Sequence, residues 1–212
     1  MVRGLESWRL FWLLAAALSI ANCLGLPAVD FASAHGVEPA IVLSVRCALP
    51  FFLVAFTASS LAALWRTRFT RWLLANRRYV GLAFAFGMGW HFAFVGYSIV
   101  SFGKPFGNAL IAMDVTGLAF LLALTLTSFR WCARHLTRAN WSRLHKAGVY
   151  YIWLVFFYIY SAGGRFPHDV EHVAAVAVLL GAVGLRAAAW MRARHGRRGG
   201  GELLASARQG QA

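Results

Sequence analysis

Acidic residues are scarce in this 212-residue chain: seven Asp and Glu stand against 21 Lys and Arg. Charged residues of both signs make up only 13% of it, too little to wet the surface of a soluble globule of this length. Cysteine is scarce as well. Cys23, Cys47 and Cys132 are isolated, with no CxxC or Cys/His finger spacing, so a zinc module or a disulfide framework has no support. No Gly-rich dinucleotide fingerprint occurs, and no stretch is left over for a flavin or NAD(P)H domain. With no soluble module to carry it, nucleic-acid binding is also excluded, and the formal charge of +14 has to be read by position. What the chain has in excess is apolar: 60% hydrophobic residues and a mean hydropathy of +0.61. It belongs in lipid.

A hydrocarbon core about 30 Å thick takes about 20 apolar residues as a helix. Six runs qualify: 10–28, 39–65, 79–101, 107–128, 144–162 and 170–190. Lipid satisfies no backbone hydrogen bonds, and the runs lack the alternation of barrel strands, so helix is required. Asn22 before Cys23 is too large for lipoprotein processing, and the first run is longer than a signal-peptide core, so it reads as a retained helix.

Basic residues gather in alternate connections: Arg3 and Arg9; Arg66 to Arg78; Arg130 to Lys146; and Arg186 to Arg208. The opposite connections hold only Lys104 and Arg165. The pattern predicts an all-α integral membrane protein, a six-helix bundle over residues 1–191 with both termini cytoplasmic. Trp8, Trp65, Trp72, Trp131, Trp141 and Trp190 fall near the predicted cytoplasmic ends, as an interfacial belt would. Residues 192–212 read as a basic, flexible cytoplasmic tail, attracted to lipid or docking a partner.

Ionisable groups inside the spans are functional candidates. Arg46 and Asp114 each lie about 10 Å below the outer face at helical rise, equal in depth and opposite in sign. They suggest an ion pair, either a structural clamp or a propionate or proton site. His91, in Gly87-Met-Gly-Trp-His91, is about 20 Å along its span from Arg77. A buried imidazole there is either a hydrogen-bonded core histidine or a haem-iron ligand. Gly87 and Gly89 leave room beside it for a macrocycle or a neighbouring helix. His145, in Trp141-Ser-Arg-Leu-His145, is either interfacial or a ligand. His168 and His172 form an i, i+4 pair beside Asp169 and Glu171, which reads as a solvated helix start or a divalent-metal pair.

Taken in order, these features resemble a known family. Arg77-Arg78 leads into a helix with a deep His91. A span ends at Thr127-Ser128, and a basic connection leads to Trp141-x-x-Leu144-His145 and an aromatic helix. The sequence over roughly 77–162 resembles the ferric-reductase-like transmembrane domain family, closest to the haem-binding membrane subunits of bacterial methionine-sulfoxide reductase systems. The resemblance implies b-type haem held between the third and fifth helices, with His91 and His145 as iron ligands. One departure stands out: where the family has a second histidine on the fifth helix, this sequence has Tyr158. At helical rise Tyr158 is about 18 Å from Lys146 and level with His91, which makes it the expected residue across the iron. Met113 on the fourth span is another partner for His91.

The function this implies is that of an electron-transfer subunit in the bacterial inner membrane, an oxidoreductase component rather than a complete enzyme. It would pass electrons from a separate cytoplasmic flavin reductase to a periplasmic acceptor, with Arg46 pairing a haem propionate. The alternative is a scaffold or assembly subunit of the same fold without haem. Transport through Arg46 and Asp114 is disfavoured, since no internal repeat or paired broken helices occur.

Overall fold

The computed structural model describes residues 7–103, 107–162 and 169–209, with the backbone alone at 108, 109 and 196–209. Among these residues the chain is helical, with no strand. The helices are α1 (Trp8–Gly25, then a 3-10 turn at Leu26–Ala28), α2 (Ala34–Leu64), α3 (Arg68–Phe102) and α4 (Asn108–Leu126). They continue with the one-turn α5 (Arg130–Ala133), α6 (Arg138–Ala162) and α7 (Val170–Gln209). Four stretches, Trp8–Ala28, Ala34–Leu64, Arg68–Phe102 and Val170–His195, are long and apolar enough to cross a membrane. α4 adds a shorter apolar stretch, Leu110–Leu126, and α6 starts inside the basic connection.

Most helices outrun their apolar cores. α3 begins at Arg68, well before the expected start at Tyr79. Thr67 caps it: its Oγ1 accepts from the Thr70 N–H at 3.1 Å, while Thr70 Oγ1 accepts from the Thr67 N–H at 3.1 Å. No Pro or Gly interrupts 68–80, so Arg77 and Arg78 lie within a helix and not in a connection. α7 likewise runs past residue 191 to Gln209, over the stretch whose composition predicts a flexible tail.

α2 lies along α3 and against α7; α7 packs on α6, α6 on α4, and α4 touches α3 only sparsely. These five helices close a ring, and α1 sits outside it against α2 and α3. Gly87 permits that seat. A Cβ there would lie 3.2 Å from Leu18 and 3.3 Å from Ala48, so the bare backbone serves helix packing. A Cβ at Gly89 would meet nothing within 4 Å, so that glycine makes room for no neighbour.

The ring is filled by aromatic side chains. Phe52 stands 5.4 Å from Phe56, 5.3 Å from Phe84 and 5.4 Å from Phe156, centroid to centroid. Leu179 and Ala182 of α7 close the same core. Polar ties fix the helices in register: Trp153 Nε1 donates to the Leu179 carbonyl at 3.0 Å, and Arg192 donates to the Leu64 carbonyl at 3.0 Å. At Gly148 a Cβ would come within 3.0 Å of Leu124 and 3.1 Å of Phe120. Gly148→Val should therefore push α4 off α6 and destabilise the bundle by about 1–3 kcal/mol; unfolding in mixed detergent, followed by helical circular dichroism, measures it.

Charge divides the bundle end from end. Trp8, Tyr79 and Phe129 cluster at one end, with Trp8 5.5 Å from Tyr79 and 6.2 Å from Phe129. That end carries the arginines of the α2–α3 corner, of the α4–α6 connection and of the later part of α7. Asp30, Glu38, Asp169 and Glu171 belong to the other end. Asp30 lies between α1 and α2, and the Ala32 N–H and the Ser33 hydroxyl hold its carboxyl below the usual range.

Candidate functional site

His91 is where chemistry and burial meet. Its residue is 7% exposed, on the face of α3 that looks into the ring. Nδ1 lies 3.5 Å from the Ile41 carbonyl oxygen of α2. A carbonyl only accepts, so this long contact favours the tautomer with the proton on Nδ1 and a lone pair on Nε2. Nε2 faces Asp114 Oδ1 of α4 at 4.0 Å, outside hydrogen-bonding distance. Beside it a cavity opens among Met88, Phe92, Met113, Gly117, Ile152 and Ile159. The cavity and its mouth hold about 460 Å³ of empty space, of which the enclosed part has room for only a few waters. Its walls come from α2, α3, α4 and α6, and its loosest seam is the one between α3 and α4.

Several expected site residues lie elsewhere. Tyr158 is 46% exposed and does not line the cavity; Val155, Phe156 and Ile159 present the inward face of α6 in its place. Equal depth along two helices did not imply facing, because Tyr158 is turned around the helix away from the ring. Arg46 does not pair with Asp114. Its Nε meets Glu171 Oε1 of α7 at 2.6 Å, with both side chains about two-fifths exposed. The reason is rotation about α2: Val45 lines the cavity with Asp114, while Arg46, about 100° further round the helix, turns to α7. Arg46 is thereby taken up as a surface pair and is not at hand for a propionate beside His91.

His145 is also outside the cavity. Its Nε2 sits 3.1 Å from Thr127 Oγ1, and its ring packs on Trp141 at 4.1 Å. Between it and His91 stand Phe84 and Phe156 of the core, 6.1 Å apart. His172 contacts Asp169 Oδ2 at 3.1 Å and Tyr160 at 5.4 Å, while His168 lies outside the described residues. Among the described residues no three His, Cys, Asp or Glu side chains group closely enough to hold a metal ion.

Donors for an iron at this cleft would thus be one imidazole, that of His91, and not a histidine pair. His91 Nε2 points to an apolar cleft, and the Met113 thioether lines the same cleft, a pairing found at haem iron. Space for the macrocycle has to come from the sparse seam between α3 and α4. Sequence reasoning missed the residue that holds Met113 and Asp114 against His91: Tyr151, whose hydroxyl donates to the Met113 carbonyl at 3.1 Å. Its only signal in the sequence is an aromatic residue one turn before Val155.

The pairing of Arg46 with Glu171 makes a direct test. Asp114→Asn and Arg46→Gln should combine additively in stability, whereas Arg46→Gln and Glu171→Gln should couple by up to about 1 kcal/mol. Double-mutant cycles in detergent check both, and coupling between positions 46 and 114 would contradict the geometry.

Comparison with protein-family models, curated proteins and solved structures finds no match to this chain.

Proposed function

We propose that the chain is a six-span bacterial inner-membrane subunit, both termini cytoplasmic, that binds b-type haem through His91 and relays electrons across the bilayer. The donor would be a separate cytoplasmic flavin reductase and the acceptor a protein at the outer face. The observation that carries this reading is the placement of His91: a buried imidazole, fixed through Nδ1, with Nε2 free toward a cleft walled by four helices. The order of Arg77-Arg78, His91, Thr127-Ser128 and Trp141-x-x-Leu-His145, shared with the ferric-reductase-like family, supports it. The basic end of the bundle supports the orientation.

When bound, haem supplies a one-electron ferric/ferrous couple. The chain's own residues do the rest. The Ile41 carbonyl orients the imidazole, Tyr151 holds the Met113 segment in place, and Met88, Phe92, Ile152 and Ile159 keep water from the cleft. Asp114, its side chain 29% exposed, puts a carboxyl beside His91 and so shapes the local field. The Phe52, Phe84 and Phe156 cluster fills the path between the cleft and the basic end.

The deciding experiment is an absorption spectrum of the full chain, purified after expression with ample porphyrin precursor. A Soret band is expected; colourless protein rejects the haem reading. One observation favours the second reading, a haem-free scaffold: the Ile41 carbonyl and Asp114 already face both ring nitrogens of His91.

A further inference from the structure

At the basic end of the ring, three helices turn cationic or chargeable side chains inward. On α3, Arg77 lies on the stripe that passes through Phe84 to His91 in steps of seven. On α6, His145 heads the stripe of Ile152 and Ile159; on α7, Arg186 continues the stripe of Leu179. Arg186 is fixed: Nε donates to the Tyr150 hydroxyl at 3.1 Å and Nη1 to the Phe56 carbonyl at 2.8 Å. Its guanidinium lies 4.4 Å from the centre of the Phe56 ring. Next along α3, the buried Nε of Arg78 has no hydrogen-bond partner among the described residues.

No carboxylate among the described side chains reaches this end. Asp30, Glu38, Asp169 and Glu171 are at the other end, and Asp114 is at the cleft. Like charges gathered at one half-buried end repel, and an anion among them relieves the repulsion. We infer that Arg77, Arg186 and His145 form a site for the phosphate of an anionic phospholipid from the leaflet at this end.

Depth and access favour a lipid phosphate over a free one. Arg186 lies about 24 Å along α7 from Val170 at helical rise, toward the far edge of a core about 30 Å thick. Trp141 and Trp190 are exposed at the same end, as residues at headgroup level are. A phosphate carried on acyl chains reaches this depth with its tails still in lipid. A free phosphate must shed its water to enter. The inference rests on the helices being membrane spans and not on what occupies the His91 cleft.

The test uses delipidated full-length protein in mild detergent, titrated separately with phosphatidylglycerol, phosphatidylcholine and inorganic phosphate. Tm is followed by tryptophan fluorescence, and retained lipid by native mass spectrometry. Phosphatidylglycerol should raise Tm and remain bound, while the other two should do neither. Arg77→Gln combined with Arg186→Gln should weaken phosphatidylglycerol roughly tenfold or more. Arg66→Gln with Arg68→Gln, at exposed positions of the same end, should cost less than about twofold. Because Arg186 also supports the core, Arg77→Gln alone should lose severalfold, and Arg77→Lys should recover most of it. Equal response to phosphatidylcholine, stabilisation by inorganic phosphate, or equal loss in the Arg66/Arg68 pair would each overturn the assignment.

Discussion

Replacing His91 by alanine should remove the Soret band expected of the purified protein, while His145→Ala and His172→Ala should leave it at full intensity. The asymmetry follows from geometry. Among the described histidines His91 alone presents a ring nitrogen to the cleft; His145 is bound to Thr127 and stacked on Trp141, and His172 is held by Asp169 at the opposite end. Met113→Leu keeps the apolar wall but removes the thioether, so the band should persist, with a shift to a high-spin form if Met113 shares the iron with His91. Tyr158→His should leave the spectrum unchanged, because that side chain is 46% exposed and off the cleft. A low-spin spectrum created by Tyr158→His would mean that α6 is rotated relative to the arrangement described. Loss of the band in His145→Ala would move the iron to the basic end. Either result is read from one purified sample per variant, with helical circular dichroism as the check on folding.

Much of this fold was legible in the sequence, because its signals are one-dimensional. The apolar runs 10–28, 39–65, 79–101 and 170–190 announce the helical stretches Trp8–Ala28, Ala34–Leu64, Arg68–Phe102 and Val170–His195, and the arginines announce which ends share a side. His91 was legible for the same reason, as an ionisable group in the middle of such a run. Its partners were not. Depth along a helix follows from counting residues, but rotation about the axis depends on which neighbours close the ring. Tyr158 and Ile159 differ by one residue and by a turn of about 100°, and only Ile159 faces the cleft. Arg46 went astray in the same way: Val45 lines the cavity with Asp114, and one residue further round α2 Arg46 meets Glu171 near the start of α7. The Ile41 carbonyl has no signature at all, since any residue type supplies the same oxygen.

The largest loss of stability should come from Phe56→Ala, where the aromatic core meets the basic end. Phe56 is 1% exposed; its ring lies 5.4 Å from Phe52 and 5.7 Å from Tyr150, and it carries the Arg186 guanidinium on its face. In water a buried Phe→Ala change costs about 3–5 kcal/mol, part of it hydrophobic transfer. In lipid the surroundings are as apolar as the core, so the transfer part shrinks and the loss of packing remains. A cost near the low end, about 3 kcal/mol, is expected, with the lost cation–π contact included. Phe56→Leu refills much of the volume and should cost less. Trp12→Ala, at a side chain 65% exposed on the outside of α1, should stay within about 0.5 kcal/mol. Unfolding in mixed detergent by loss of helical circular dichroism ranks the three. Equal costs for Phe56→Ala and Trp12→Ala would mean that α2 does not turn Phe56 into the ring. The footing of Arg186 would go with it, because the Nη1 bond to the Phe56 carbonyl and the ring beneath the guanidinium come from the same residue.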